Sequence, residues 1–365
     1  MKIQLVVRDK SGCEYHRIIL PFSYMGKDPS WSSKHSIEML FIAQDEHFID
    51  CDILVYNKCI ATPVEVLKQL QAQGMKIVVD IDDYWILPPG NPYAPQWNGS
   101  GNDKLTEEHI KIANLVICTS MRLQEKVREL NKNTVVIPNA LPFGDGQFAP
   151  GEKIVTDKMS FLYAGGVGHL ADVKLLEGKF KKIGSDPYIR NNAQFILAGY
   201  EKSVAKKFHT KEDRDKNNSN FNLENITGPY DHMKLIFSHT GSYKILPTLP
   251  LWEYMHHYDH ADVGLVPLTD SSWHSYISEL KLLELATRDI PAICSNVSPY
   301  SDLRPCEGVC FVETQDDWLK YIRKSIKEKD WAKERGMQMG SWIREEYSLP
   351  KWNKVRMQVL ESLMN

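Results

Sequence analysis

Long apolar runs are missing from this 365-residue chain, and nothing in it approaches the ~18–20 consecutive apolar residues of a membrane-crossing helix. A charge excess is missing too. Forty-four Lys and Arg stand against 47 Asp and Glu, a net −3, which excludes a general attraction to nucleic acid or anionic membrane and leaves only local basic patches to consider. No Cys-x-x-Cys occurs among the seven cysteines. Their number is odd and several lie in strand-like runs such as LVICTS and PAICS, so they read as free thiols in a reducing cytoplasm. Cys306 and Cys310 lack the second paired motif that a zinc site needs. Neither the phosphate-binding GxxxxGK[ST] nor a strict dinucleotide GxGxxG is found. The first residues, MKIQLVVRDKSG, turn polar after one short strand and do not read as a secretory leader.

What is present is an ordinary globular composition, 42% hydrophobic and 25% charged, in a length that favours two domains. Strand-like and helix-like runs alternate from the start. Strands are predicted at 3–7, 52–57 and 76–81, with a loop over RDKSGCEYHR and a helix opened by Pro63. A polar stretch through Asn102 follows, then a helix over 106–113, strand LVICTS, helix MRLQEKVREL and strand TVVIPN. Residues 141–158, with three glycines, two of the chain's prolines and no period, read as a linker. The alternation then restarts with strands at 160–165, 193–200, 244–248, 263–268, PAICS and 309–313, and helices at 170–182 and 250–258. Glu201 to His232 is polar and reads as a surface loop. Helical segments run from about Asp316 to the end, the last being KWNKVRMQVLESLM. Such alternation predicts parallel sheets covered on both faces, hence two doubly wound α/β, Rossmann-like domains with a cleft at the carboxyl ends of their strands.

Four stretches carry chemistry. SELKLLELATRDIPAICSN places Lys281 and Glu284 three apart on a helix that is otherwise apolar on almost every side, through Leu280, Leu282, Leu283, Leu285 and Ala286. Two charges on a buried helix need each other, water or a ligand. Ser278 either caps that helix or, with Lys281, meets a phosphate while Glu284 accepts from sugar hydroxyls. The turn after SFLYAG brings Gly165, Gly166, Gly168, His169 and Asp172 between strand and helix. It is either a plain tight turn or a place where backbone N–H groups approach phosphate. DIDDYW ends a strand in Asp80, Asp82 and Asp83 followed by Tyr84 and Trp85. These carboxylates hold a divalent cation, act on a substrate hydroxyl, or simply close the strand end. SGCEYHR puts Gly12, Tyr15, His16 and Arg17 behind the first strand, as an exposed loop or as ligands for an anionic group.

In their order along the chain, SGCEYHR, DIDDYW, ANLVICTS, VIPNA, AGGVGH, HADVGLVPL and SELKLLELATRDIPAICSN resemble the retaining GT-B glycosyltransferases of the large group that includes glycogen and sucrose synthases and mannosyltransferases. The resemblance implies an acceptor-binding domain over 1–143, a linker over 144–158, a nucleotide-sugar domain over 159–345, and a last segment, 346–365, that crosses back. In that group the donor helix carries two glutamates with seven residues between them. Glu284 matches the second, near the donor ribose, whereas Tyr276 stands where the first would fall; the chain reads S-x-L-K-x-L-E instead, as Ser278, Leu280, Lys281, Leu283 and Glu284. The basic pair beyond the glycine turn is represented by Lys174, with Lys281 replacing one member. The resemblance further implies a hexosyl- or pentosyltransferase that uses a nucleotide-diphosphate sugar, retains configuration and needs no metal or other cofactor. Asp82, Asp83, Arg17 and Lys281 would then act at the reacting groups. Gly165, Gly166, Gly168, His169, Lys174, Ser278, Leu280, Lys281 and Glu284 would hold the donor, and Gly12, Tyr15, His16, Tyr84 and Trp85 the acceptor. That acceptor is a glycan, a lipid-linked sugar, a small molecule or a modified DNA base, the last as in viral enzymes of this fold. Lys202, Lys206, Lys207, Lys211, Arg214 and Lys216 are the local basic feature in favour of DNA, although Glu201, Glu212, Asp213 and Asp215 interleave with them. An inactive binding module and a sugar-nucleotide epimerase are the competing readings.

Overall fold

The computed structural model describes residues 1–8, 11–41, 50–201, 228–303, 306 and 308–364. The basic cluster from Lys202 to Lys216 lies outside them. Among the described residues twelve strands form two sheets of six, every pair parallel. The first sheet holds β1 (Lys2–Val6), β2 (Ser36–Leu40), β3 (Ile53–Asn57), β4 (Lys76–Ile81), β5 (Leu115–Cys118) and β6 (Thr134–Val136), ordered β2-β1-β3-β4-β5-β6. The second holds β7 (Met159–Ala164), β8 (Ala193–Tyr200), β9 (Tyr243–Pro247), β10 (Val263–Val266), β11 (Ala292–Ser295) and β12 (Cys310–Val312), ordered β12-β11-β10-β7-β8-β9. A parallel sheet is covered on both faces, so its inner strands must be apolar throughout. ILVYN of β3, LVIC of β5, VGLV of β10 and AICS of β11 are buried at every position.

The helices that matter for the cleft are α1 (Leu20–Lys27), α2 (Val64–Ala72), α3 (Asn102–Ile112), α4 (Met121–Val127), α5 (Leu280–Ala286) and α6 (Leu349–Ser362). Several differ from expectation. RDKSGCEYHR is not all loop: helix begins at Gly12, where the Ser11 hydroxyl accepts the Glu14 N–H at 3.3 Å, and a π-helical turn at Tyr15–Ile19 leads straight into α1. The predicted helix at 170–182 is two, Leu170–Lys174 and Glu177–Gly184, and that at 250–258 is a turn followed by a 3-10 segment, Tyr254–His260. The edge strand β2 was not anticipated, because SIEML is half exposed and its polar residues obscure the pattern.

In each sheet the chain reverses its direction of strand addition once, beside β1 and β3 in the first and beside β7 and β10 in the second. A crevice opens at the carboxyl ends of such strands. Of the stretches singled out above, SGCEYHR follows β1, DIDDYW closes β4 and AGGVGH follows β7, while α5 lies between β10 and β11. The halves also share core. Leu20, Leu141 and Leu349 join the cluster built around β10, β11 and α5. From α6, Leu360 packs with Ile18, Phe22 and Met25 over the first sheet, and Asn353 Nδ2 donates to Pro21 O at 2.9 Å. No helix among the described residues is long and apolar enough to cross a membrane.

Candidate functional site

A cavity of about 450 Å³ lies between the two sheets. On the side of the second sheet its wall is crowded. A Cβ at Gly165 would come within 2.7 Å of the Tyr163 hydroxyl and 3.1 Å of Lys281 Nζ, so a side chain there would push both groups aside. Lys281 Nζ donates to Ala164 O at 3.2 Å and lies 5.6 Å from the Tyr163 ring centroid. Burial lowers its pKa, opposed by Glu284 and Asp172. α5 reaches this position because β10 lets it: a Cβ at Gly264 would stand 2.3 Å from Leu285 Cδ1.

Glu284 is buried, and each of its oxygens accepts from a tyrosine, Tyr254 at 2.8 Å and Tyr258 at 2.5 Å. Burial raises its pKa while Tyr258, Lys281 and Tyr254 pull it back. Each carboxylate oxygen keeps a second lone pair for a ligand. His16 meets the Tyr254 hydroxyl through Nε2 at 3.1 Å, and its buried Nδ1 has no partner among the described residues. Burial and the neighbouring Arg17 push its pKa down to about 3, so it is neutral. Ser278 does not cap α5. Its hydroxyl instead accepts from Asn139 Nδ2 at 2.7 Å across the cleft, and α5 has no side-chain cap. In the glycine turn His169 Nδ1 is 2.8 Å from Asp172.

On the side of the first sheet, Asp82 and Asp83 face the cavity with Lys58 bound between them, at 3.1 and 2.7 Å. Asn57 Nδ2 donates to Asp82 at 3.0 Å. Burial alone would raise the pKa of Asp82, but the Lys58 ammonium overrides it and holds the group low; burial and Asp82 raise that of Asp83. Lys58 sits at φ +59°, a left-handed conformation that costs a lysine on the order of 1 kcal/mol or more. It therefore reaches the carboxylates at a local cost. Cys13, Asp82 and Asp83 bring ligand atoms within 4.8 Å of one another, the geometry of a cation site, and the Lys58 ammonium already provides the positive charge there.

Other expected residues fall elsewhere. Arg17 touches the cavity, but it is 1% exposed and its donors are spent on Asp80 (2.8 and 2.9 Å), Asn139 (3.1 Å) and Ile137 O (2.9 Å), which makes it an anchor of the wall rather than a free cation. Lys174 is exposed and does not line the cavity. Trp85 is 2% exposed and donates to Glu107, and Tyr84 packs on Tyr276 with centroids 5.3 Å apart. Tyr15 receives Gln147 Nε2, and Gly168 packs on Tyr93. Gly12, His16, Gly165, Gly166, His169, Ser278, Leu280, Lys281 and Glu284 are all brought to the one cavity. Tyr254, Tyr258, Lys58 and Trp273, which also belong to it or brace it, carried no sequence signal except that Lys58 directly follows a strand.

No family model and no curated protein matches the sequence. Solved structures do match the fold. The chain is similar to a sucrose-phosphate synthase from Thermosynechococcus elongatus, with TM-score 0.68 and 13% identity over 99% of this chain and 98% of that one. The fold is GT-B. Anabaena HepE in complex with UDP shares it, with TM-score 0.62 and 11% identity over 99% of this chain and 100% of that one. HepE in complex with UDP-glucose does so at TM-score 0.59 and 12% identity, over 100% of this chain and 99% of that one. In GT-B terms, the second sheet contributes the glycine turn and α5, and the first contributes the Asp82–Asp83–Lys58 group.

Proposed function

We propose that the chain is a glycosyltransferase that moves a sugar from a nucleotide-diphosphate sugar to an acceptor hydroxyl, with retention and without a metal ion. The observation that carries this reading is the meeting in one cavity of Lys281, Glu284 and the Gly165–Gly166 turn with Asp82 and Asp83 from the opposite sheet. Lys281 and the turn would bind the diphosphate, Glu284 the ribose hydroxyls, and the two aspartates the acceptor or the transferred sugar. With Lys58 supplying positive charge beside the aspartates, stabilisation of the leaving diphosphate falls to Lys281 and to backbone N–H groups. The similar GT-B structures of HepE with UDP and UDP-glucose support a nucleotide-sugar donor. Residues 1–143 would receive the acceptor, 144–158 link, 159–345 hold the donor and 346–365 return to the first half. The free thiols suit a reducing cytoplasm.

Calorimetry with UDP, GDP, ADP and their sugars tests this. One nucleotide should bind, and Glu284→Ala should weaken it at least ten-fold, the scale of losing a charged hydrogen-bond acceptor. Undiminished binding by the variant would count decisively against the assignment. One observation favours a second reading, that of a binding module without turnover: Tyr276 occupies the first glutamate's place and is committed to Tyr84. Release of free sugar or a mass shift on any acceptor, followed by mass spectrometry, removes that reading.

A further inference from the structure

We infer that His169 is a proton-linked ligand of the donor diphosphate, held by Asp172 so that it takes a proton from solvent when the donor binds and gives up that proton when the product leaves. The inference rests on the donor assignment above and adds to it a residue whose charge changes during the cycle.

The geometry is that of an oriented imidazole. Asp172 is 1% exposed and has three partners. Its Oδ2 faces His169 Nδ1 at 2.8 Å, and its Oδ1 accepts the Thr269 N–H at 2.8 Å and lies 3.4 Å from His274 Nε2. His274 is braced in turn by Ser271, whose Oγ lies 2.7 Å from Nδ1. Asp172 is ionised, its pKa lowered by the two histidines and the backbone N–H against the effect of burial. Its carboxylate therefore fixes the proton of His169 on Nδ1 and stabilises the imidazolium once a second proton arrives. Nε2 is the nitrogen left for whatever occupies the cavity that His169 lines.

The surrounding charges decide when that proton arrives. The groups that face the ring are Asp172 on its own helix, Lys281 on α5 and His274 on the turn after β10. Burial and Lys281 keep His169 below the ordinary histidine range despite Asp172, so the empty site holds a neutral ring. A diphosphate placed against Lys281 offsets that repulsion and supplies an acceptor for Nε2–H. The site then gains its second positive charge beside Lys281 only while an anion is bound to balance it.

The test is proton uptake. UDP-glucose, GDP-mannose and ADP-glucose, whose diphosphates do not titrate near neutrality, are each bound to the full chain at pH 7.5 (roughly one unit above an ordinary histidine). Calorimetry is run in two buffers of different ionisation enthalpy. The wild type should take up about one proton per donor bound. His169→Gln, a substitution at a partly exposed position, should bind roughly ten-fold more weakly with uptake near zero. Asp172→Asn should reduce uptake as well. Wild-type binding without uptake, or uptake unchanged in His169→Gln, overturns the inference and leaves the donor assignment standing. Absence of binding by all three donors overturns both.

Discussion

Glu279, one residue before α5, shows how a single buried carboxyl sets a pH dependence. It is 6% exposed, receives a hydrogen bond from Tyr347 and feels Arg17, yet burial dominates and raises its pKa to about 7. For an acid the sign follows directly. The folded state holds the proton more tightly than the unfolded chain, so the contribution to stability is full below the ordinary glutamate value of 4.5 and is lost as pH rises through about 7. The span corresponds to roughly 3 kcal/mol. Glu279→Gln should therefore stabilise the protein by about that amount at pH 8 and change little at pH 4, as read by urea denaturation at both values. A variant as pH-sensitive as the wild type would show that another group sets the dependence. The same scale explains Arg17: an arginine at 1% exposure is tolerable only because Asp80 meets it bidentately.

At the scale of elements, the cleft depends on how closely α5 lies on β10. Gly264→Ala places a methyl against Leu285 and should cost about 1–3 kcal/mol, while shifting Lys281 and Glu284 enough to weaken nucleotide binding. Leu285→Ala in the same chain should restore part of both, and a double-mutant cycle on melting and binding measures the coupling. If the two costs simply add, this contact does not set the position of α5. Elements of this kind were legible in the residues. Strands such as ILVYN and AICS are apolar because both faces of a parallel sheet are covered, and LKLLELA betrayed its burial by having no wet side. What was illegible had a physical reason. SGCEYHR reads as loop because its helix is capped by Ser11 and runs through a π turn, which breaks the usual period. The seven-residue α5 starts after Ser278, because that hydroxyl is drawn to Asn139 from the other half. Lys58 could not be foreseen as the partner of Asp82 and Asp83, since a left-handed lysine has no sequence signature. The surroundings of Arg17 and Lys174 were illegible for the same reason: a cation's worth depends on partners that the fold brings from far away, as Asp80 and Asn139 are brought to Arg17.

At the scale of the whole molecule, the two halves are fastened at both rims of the cleft. Trp273 Nε1 donates to Tyr84 O at 3.1 Å, Asn139 joins Ser278, and Tyr254 meets His16. Behind them α6 covers the first sheet although it follows the second in sequence. Leu360→Ala, at a fully buried position, should cost about 2–5 kcal/mol. It should lower one common unfolding transition, seen alike by tryptophan fluorescence and circular dichroism, rather than split off a first-half transition. Two separated transitions would mean that the halves melt independently.

The chain passes between the halves twice, and the two passages lie side by side. Leu141 N donates to Tyr347 O at 3.1 Å, Leu349 N donates to Leu141 O at 2.9 Å, and Leu141 bridges Ser348 in parallel. A paired spine of this kind resists sliding and twisting but permits folding about its own line, as the binding of a book does. Opening along that line would separate Tyr93 of the first half from Gly168 of the second, which lie within van der Waals reach of each other in this structure.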